Sequence, residues 1–384
     1  MKKLKIIFLI TCCLTLFFNV AFSQVFTGRL QIKHFTGKIK TMPIDLTVKK
    51  QGDTLTGIYF YEKFGVPIKL KGKISKDGII ELNEVDKAGD PTATFVIKLD
   101  PAKKIKGTWQ RKGAKDKIPV ELTEDYTGVV KFEPVLYQTK VPLLKMKKEP
   151  AYSIDLFYLQ PVDFNNKNAL TEINKTCSNS FFAKYSNPTK PALSLKTMAD
   201  SLIPDYKSSA STYDSTFGAS FNWAMDCSAD VYYNKNNLLT YSSFTYSFSG
   251  GAHGIYGTSY IVVDCKTGKQ LKLSDIFNKG FEKELDKKIT GKAEINAKLK
   301  KGQKLTSAGY LADDIKTTDN FYVNGGGIGF VYNVEEIAPY VNGTIDIFLS
   351  YKEIETLLKK DSPVSQFVTA EEKKTNNPPK KNKK

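Results

Sequence analysis

The stretch IDLTVKKQGDTLTGIYFYEKFGVPIKLKGKI, residues 44–74, decides the fold of the N-terminal part of this chain. Apolar and polar residues alternate in it, as in Ile44, Leu46 and Val48 with a polar residue after each. A period of two gives an extended strand one apolar and one polar face. Short turns such as the one at Gly52 separate the alternating segments, which favours consecutive antiparallel hairpins.

The same alternation extends outward from residue 25 to residue 123 and predicts eight short strands. In four of them a glycine occupies the apolar side, where it lets a strand coil as a sheet closes. These four are Gly28, Gly57, Gly72 and Gly107. Residues 24–126 are therefore predicted to form a small antiparallel eight-stranded barrel-like meander.

The predicted barrel has two interpretations. Its inward residues are bulky and no polar cluster is expected to point inward, which favours a filled interior with a structural role. The alternative is a carrier that holds a small apolar ligand in a pocket lined by Tyr59, Tyr61 and Trp109.

Residues 127–362 show mixed periods and are predicted to form an α+β domain, so that the whole chain is β-rich. Two helices are expected around 170–181 and 195–202, the second stopped by Pro204, and a third around 282–299. The irregular stretch 126–149 is expected to hold the connection between the domains and a first strand. Further strands are expected at 152–159, 221–233, 238–248, 256–263, 320–324, 327–332 and 344–350. The polar, Lys-rich residues 363–384 are predicted to be a disordered tail.

The N-terminus has the order of a secretory signal. Three lysines precede the apolar run 6–18, and the small-residue site Ala21 to Ser23 follows it. We therefore expect a cleavable signal peptide over residues 1–23 and an exported protein, in the periplasm or at the cell surface. An uncleaved anchor, or a lipid attached at Cys12 or Cys13, is the alternative. No second apolar run of spanning length follows, so no transmembrane segment is expected after cleavage.

The formal net charge is +17, of which the signal contributes +3 and the stretch 371–384 contributes +4. About +10 remains on the folded body, a charge that suits an anionic neighbourhood such as lipid head groups or an anionic polysaccharide. Plain solubility is the simpler explanation of this charge. No nucleic-acid partner is expected, because the chain has no such motif and is predicted to be exported.

The sequence shows no recognisable catalytic centre. Its only histidines are His34 and His253, which lie in different predicted modules, whereas a metal-dependent hydrolase needs several clustered ligands. Cys177, Cys227 and Cys265 match no zinc or redox spacing and are expected to be buried thiols. We predict a protein that is not an enzyme and needs no cofactor or metal. A carboxylate-dependent hydrolase is the alternative, and a cleft with paired carboxylates of perturbed pKa would be its sign.

Three blocks in the second half carry a family resemblance. They are Ser249 to Gly254 (SGGAHG), Asp264 to Phe277 (DCKTGKQLKLSDIF) and Glu335 to Tyr340 (EEIAPY) followed by Gly343. Together they resemble the C-terminal extracellular domain of RsiV-type proteins, the domain of unknown function 3298, which also occurs beside the PdaC deacetylase. The resemblance spans about residues 152–358, including a companion domain that usually precedes it, and leaves the barrel outside.

The resemblance implies a binding module. In RsiV-type proteins the domain recognises lysozyme, so an envelope protein such as lysozyme, or a peptidoglycan glycan, is the expected partner. The membrane segment and the cytoplasmic domain that carry signalling in RsiV-type proteins are not expected in this chain. A basic partner also needs a locally acidic contact face on this basic chain.

The candidate binding residues lie in the first and third blocks. They are Gly250, Gly251, His253, Gly254, Tyr256, Pro339 and Tyr340. A structural role competes with binding. The three glycines are then expected to supply positive φ angles to a tight turn, which His253 holds in place by a hydrogen bond.

Overall fold

The structure, a computed structural model, describes residues 26, 28–86, 88–99, 105–145 and 148–368. The predicted signal segment, the lipid-attachment cysteines and residues 369–384 of the predicted tail lie outside these residues. The described chain forms a closed barrel, a six-stranded sheet with two helices against one face, and a three-stranded sheet with one long and two short further helices. The predicted β-rich α+β class with an N-terminal eight-stranded antiparallel barrel is confirmed.

Eight consecutive strands form the barrel, each antiparallel to the next, and the last pairs with the first. Their bounds are β1 Leu30–Ile39, β2 Met42–Gln51, β3 Thr54–Tyr61, β4 Ile68–Ile74, β5 Ile80–Val85, β6 Pro91–Leu99, β7 Ile105–Arg111 and β8 Ile118–Glu124. Three of the four predicted glycines lie where a Cβ would collide with the backbone of a neighbouring strand; at Gly72 this Cβ would lie 1.8 Å from the Glu81 carbonyl oxygen. Gly28 instead precedes β1, and the fourth crowded position is Gly37.

Side chains fill the barrel interior, including the fully buried Tyr59 and Phe95, whose rings meet edge to face. The expectation that nothing polar points inward is wrong at Glu84, which is 7% exposed. Its carboxylate accepts hydrogen bonds from the Tyr59 hydroxyl and the Trp109 indole nitrogen. The aromatic residues proposed to line a ligand pocket therefore pack around a carboxylate, and the carrier hypothesis gains no support.

The six-stranded sheet has the order β14-β13-β12-β11-β10-β9, and only the β10–β11 pair is parallel. Its strands are β9 Lys131–Pro142, β10 Ala151–Asp163, β11 Ala224–Lys235, β12 Leu238–Phe248, β13 Ile255–Asp264 and β14 Lys269–Gln270. β9 lies in a stretch that looked irregular in the sequence. Its pairing with β10 along almost its whole length makes it a strand.

Two helices, α1 Lys167–Phe182 and α2 Pro191–Ser208, cover one face of this sheet. The prediction that Pro204 ends α2 is wrong, because the helix continues for another turn. That turn places Tyr206 in the core, where its ring packs against those of Tyr152 and Trp223. The free energy gained by burying this ring offsets the loss of the backbone hydrogen bond that Pro204 cannot donate.

The C-terminal part surrounds a third core. Its elements are α3 Leu273–Ile276, α4 Glu282–Asn296, β15 Phe321–Asn324, β16 Gly327–Tyr332, β17 Ile345–Ser350 and α5 Tyr351–Ile354. Two residues of the predicted tail, Val364 and Phe367, are buried in this core, so the packed chain extends past residue 362 to residue 368. Among the described helices, none has both the length and the apolar character needed to cross a bilayer.

A buried charge network joins the barrel to the six-stranded sheet. Asp45 of β2 is 1% exposed; one carboxylate oxygen lies 3.3 Å from His34 Nε2 and the other 2.5 Å from Lys235 Nζ of β11. Lys235 also pairs with Glu62 at 2.6 Å, and Lys49 pairs with Asp230 at 2.8 Å. These contacts fix the orientation of the barrel against the sheet.

Replacing Lys235 by alanine should lower the free energy of unfolding by about 3 kcal/mol, because the buried Asp45 carboxylate loses its cation. Urea unfolding followed by circular dichroism measures the change. Lys140→Ala is the matched control, since the Lys140–Glu149 pair is exposed and is expected to contribute no more than about 1 kcal/mol. Equal effects of the two substitutions would contradict a special role for the junction.

The junction should also make stability depend on pH. Burial alone would raise the pKa of Asp45, but the neighbouring His34 and Lys235 side chains outweigh it and hold the pKa below the ordinary value of 3.8. The stabilisation is therefore complete above the ordinary pKa and is lost as pH falls through the lower, folded-state pKa. Between about pH 4 and pH 2, Asp45→Asn should lose less stability than the parent chain, as measured by urea midpoints. Equal losses of stability in Asp45→Asn and in the parent chain would contradict the role of the Asp45 carboxylate.

Candidate functional site

Two of the sequence blocks, far apart in the chain, meet in space. His253 lies in the loop between β12 and β13, and Tyr340 lies in the 3₁₀ turn Tyr340–Asn342 that precedes β17. Their rings stack with centroids 4.1 Å apart, and the ring of Tyr256 meets that of Tyr340 edge to face at 5.7 Å. Together with the adjoining Tyr246, these three residues are called the aromatic cluster below.

The aromatic cluster closes around the backbone of Gly254. The Tyr340 hydroxyl donates to the Gly254 carbonyl oxygen at 2.8 Å, and His253 Nδ1 lies 3.1 Å from the same oxygen. A Cβ on Gly254 would lie 2.5 Å from the Tyr246 ring. This position therefore requires a glycine because of close approach, and the expectation of a positive φ there is wrong.

The other candidate residues frame the aromatic cluster. Gly250 and Gly251 have the expected positive φ angles, 97° and 91°. Pro339 is exposed and immediately precedes the turn that carries Tyr340. Beside it Val341 is 89% exposed, an unusual degree for a large apolar residue. The structure thus brings His253, Gly254, Tyr256 and Tyr340 into contact. Gly250, Gly251 and Pro339 lie at the edge of the aromatic cluster.

A row of side chains that the sequence did not single out continues from the aromatic cluster across the sheet. In-register pairing of β9 through β13 aligns Gln138, Asp155, Asp226, Tyr246 and Tyr256. Directly paired residues point to the same side of a sheet, and this side is opposite α1 and α2. We call it the open face.

The open face carries paired carboxylates. Asp155 and Asp226 are partners on the parallel strands β10 and β11, and Gln138 donates a side-chain hydrogen bond to Asp155. Burial raises the pKa of Asp226, and the neighbouring Asp155 carboxylate raises it further. In the sequence these residues look like ordinary solvent-facing positions of alternating strands. Only the pairing of two strands about seventy residues apart reveals them.

The carboxylate pair lines a groove between the barrel and the open face, with a volume of about 290 Å³. The sheet contributes the half-buried ring of Phe157, with Lys49 of the barrel 5.4 Å from its centre. The barrel contributes Thr54 and Thr56 on the opposite wall. The groove therefore combines an aromatic ring, two carboxylates and hydroxyl groups within one cleft between two units.

The remaining reactive side chains lie elsewhere. His34 is buried at the junction with the barrel, whereas His253 is at the exposed aromatic cluster, so the two histidines do not share a site. Cys177, Cys227 and Cys265 are free and buried, and burial raises the pKa of Cys265 to about 12. The described residues include no group of three or more potential metal ligands.

Comparison with known families separates the second half of the chain into two regions. Residues 146–256 match the family model described as deacetylase PdaC, and residues 274–352 match the model described as a protein of unknown function, DUF3298. The chain carries a DUF3298 domain. This confirms the domain family predicted from the sequence, whereas the RsiV-type label stays a prediction. His253 belongs to the PdaC-type region and Tyr340 to the DUF3298 domain, so the aromatic cluster lies where the two regions meet.

One solved structure agrees with this assignment, and a second is reported beside it. A member of the DUF3298 family from Bacteroides fragilis is similar with a TM-score of 0.59 at 25% sequence identity, over 63% of this chain and 99% of that one. A DUF3298 family protein from Pseudomonas aeruginosa gives a TM-score of 0.44 at 18% identity, over 60% of this chain and 94% of that one. No curated protein matches the chain.

Gly254→Ala should disturb the aromatic cluster, because the added methyl group cannot fit beside the Tyr246 ring. We expect a loss of about 1–3 kcal/mol of unfolding free energy and a change in the ring proton shifts of His253 and Tyr340, measured by denaturation and NMR. Gly218→Ala is the control, since its nearest neighbour is a hydroxyl at an ordinary 3.5 Å. Unchanged ring shifts in Gly254→Ala would show that the contact is not as close as described.

Proposed function

We propose that this chain is an exported, non-enzymatic binding protein of the cell envelope whose recognition site is the aromatic cluster. The observation that carries the proposal is the stacking of His253 on Tyr340 across the meeting point of the PdaC-type region and the DUF3298 domain. Tyrosine is a frequent interface anchor, because its ring supplies contact area and its hydroxyl a directed hydrogen bond. Exposed Val341 and Ile255 extend the apolar part of this surface.

The charges near the aromatic cluster bear on the kind of partner. Glu335 and Glu336 are exposed and lie close to Tyr340 in the chain, and Asp226 is the in-register neighbour of Tyr246. These carboxylates make the surface beside the aromatic cluster locally acidic, although Lys49 and Lys50 line the groove beyond Asp226 and the chain as a whole is basic. This supports the expectation from the family resemblance that a basic protein such as lysozyme is a partner, because like-charge repulsion is reduced at the contact.

A hydrolase that uses carboxylates is the second candidate function. The observation that favours it is the Asp155–Asp226 pair in a cleft, with the pKa of Asp226 raised, the arrangement named above as the sign of such an enzyme. Glycoside hydrolysis requires two carboxylic acid side chains, and Asp155 and Asp226 provide two. We rank this candidate second because Asp226 is only partly shielded from solvent, whereas a general acid usually sits in a buried site.

Binding of residues 24–384 to a panel of lysozymes and peptidoglycan fragments, at low and at physiological salt, tests the first proposal. We expect micromolar or tighter binding that survives added salt and falls at least tenfold, about 1.4 kcal/mol, in Tyr340→Ala and in His253→Ala. Calorimetry measures the affinity. Tyr185→Ala is the matched control, because Tyr185 is half-buried beside the helices that cover the opposite face.

The outcomes separate the two candidates. Binding that is equal in Tyr340→Ala and Tyr185→Ala would contradict the aromatic cluster as the recognition site. Shortened glycans in the peptidoglycan mixtures, absent with Asp226→Asn, would instead favour the hydrolase. Absence of both binding and cleavage across the panel would contradict the proposed function.

A further inference from the structure

A second row of side chains runs beside the first on the open face. Pairing of the same five strands aligns Leu136, Phe157, Ser228, Phe244 and Thr258. Neighbouring strands lie about 4.8 Å apart, so each row extends about 19 Å from the groove at the barrel to the aromatic cluster. The groove and the aromatic cluster are therefore the two ends of one continuous surface.

The two rows have a mixed chemical character. Phe157, Phe244 and Tyr256 present half-buried rings, and the neighbouring positions carry carboxylates, an amide and hydroxyl groups. A carboxylate accepts several hydrogen bonds, and an amide both donates and accepts. Sugar rings have the complementary character, because their C–H faces pack against aromatic rings while their hydroxyl groups bond polar side chains at the edge.

The open face carries a carboxylate, Asp226, that could accept hydrogen bonds from a ligand. Among the described residues, none donates a hydrogen bond to Asp226 or forms an ion pair with it. The half-buried Ser228 sits next to it on the same face, and Thr54 and Thr56 face it from the barrel wall. A ligand with many hydroxyl groups can satisfy these groups together. An apolar ligand cannot, and would leave them desolvated without partners.

We propose that a linear oligosaccharide binds along the open face, with one end in the groove against Phe157, Asp155 and Asp226 and the other on the aromatic cluster. The inference rests on the proposed function, because it names the ligand of the same recognition surface and adds a second subsite. The barrel, which lies outside both family matches, supplies one wall of that subsite. The buried junction at Asp45 holds this wall in place.

The dimensions of the groove favour a glycan chain over a folded protein within it. A volume of about 290 Å³ admits the end of a glycan chain, a sugar ring or two. A folded partner needs about 800 Å² of contact on each side, and it would reach only the outer end of the surface at the aromatic cluster. Protein binding there is compatible with the proposed function but would leave the groove empty.

Titration of residues 24–384 with a soluble N-acetylglucosamine oligosaccharide tests the inference, with affinity from calorimetry and location from NMR. This ligand is neutral, so its binding should change little with salt. We expect about a tenfold loss of affinity in Asp226→Asn, which keeps the shape of the side chain but removes its charge. We expect a similar loss in Phe157→Leu. Asp200→Asn, on helix α2 behind the sheet, is the control with the same change of charge.

The outcomes distinguish this inference from the proposed function. Oligosaccharide binding that depends on Tyr340 but not on Asp226 or Phe157 would overturn the groove subsite and leave the proposed function standing. Lysozyme binding that depends on Tyr340, with no oligosaccharide binding, would also overturn the groove subsite and leave the proposed function standing. Oligosaccharide binding that depends on Asp226 and Phe157 but not on Tyr340 would support the subsite and contradict the aromatic cluster as its second end. Melting curves of each variant confirm that the fold is retained.

Discussion

The buried carboxylate of Asp45 is the constraint on which the arrangement of this protein depends. It is almost inaccessible to water, and such a charge is stable only with partners that reach it from both sides. His34 belongs to the barrel and Lys235 to the six-stranded sheet, so the same carboxylate joins two units. The barrel is thereby held beside the open face, and the groove between them follows from that position.

The second constraint acts at the opposite end of the open face. Gly254 allows the Tyr246 ring to lie against the backbone, and its carbonyl oxygen accepts the hydrogen bond of Tyr340. A residue of the PdaC-type region and a residue of the DUF3298 domain are therefore fixed in one aromatic cluster. Each region holds the other's loop in place through these contacts, which suits a recognition surface.

Local sequence pattern predicted the elements well where the pattern was strong. Alternation in 44–74 predicted the barrel strands, and helical spacing at 170–181 predicted α1. The pattern failed where distant contacts override local preference. Pro204 lies inside a helix because Tyr206 gains a buried position beyond it. Glu84 points into the barrel because Tyr59 and Trp109 bond its carboxylate there.

The amino-acid sequence was enough to predict the strand periods, three of the four glycine positions that the closed barrel needs, and the two blocks that contain His253 and Tyr340. These features are local, because each depends on residues a few positions apart. The tertiary structure alone decided that the two blocks touch, that Asp155 and Asp226 are neighbours, and that Asp45 faces Lys235. Such pairings depend on strand register and on the packing of units distant in the chain, and the pattern of one strand carries no information about its partner's register.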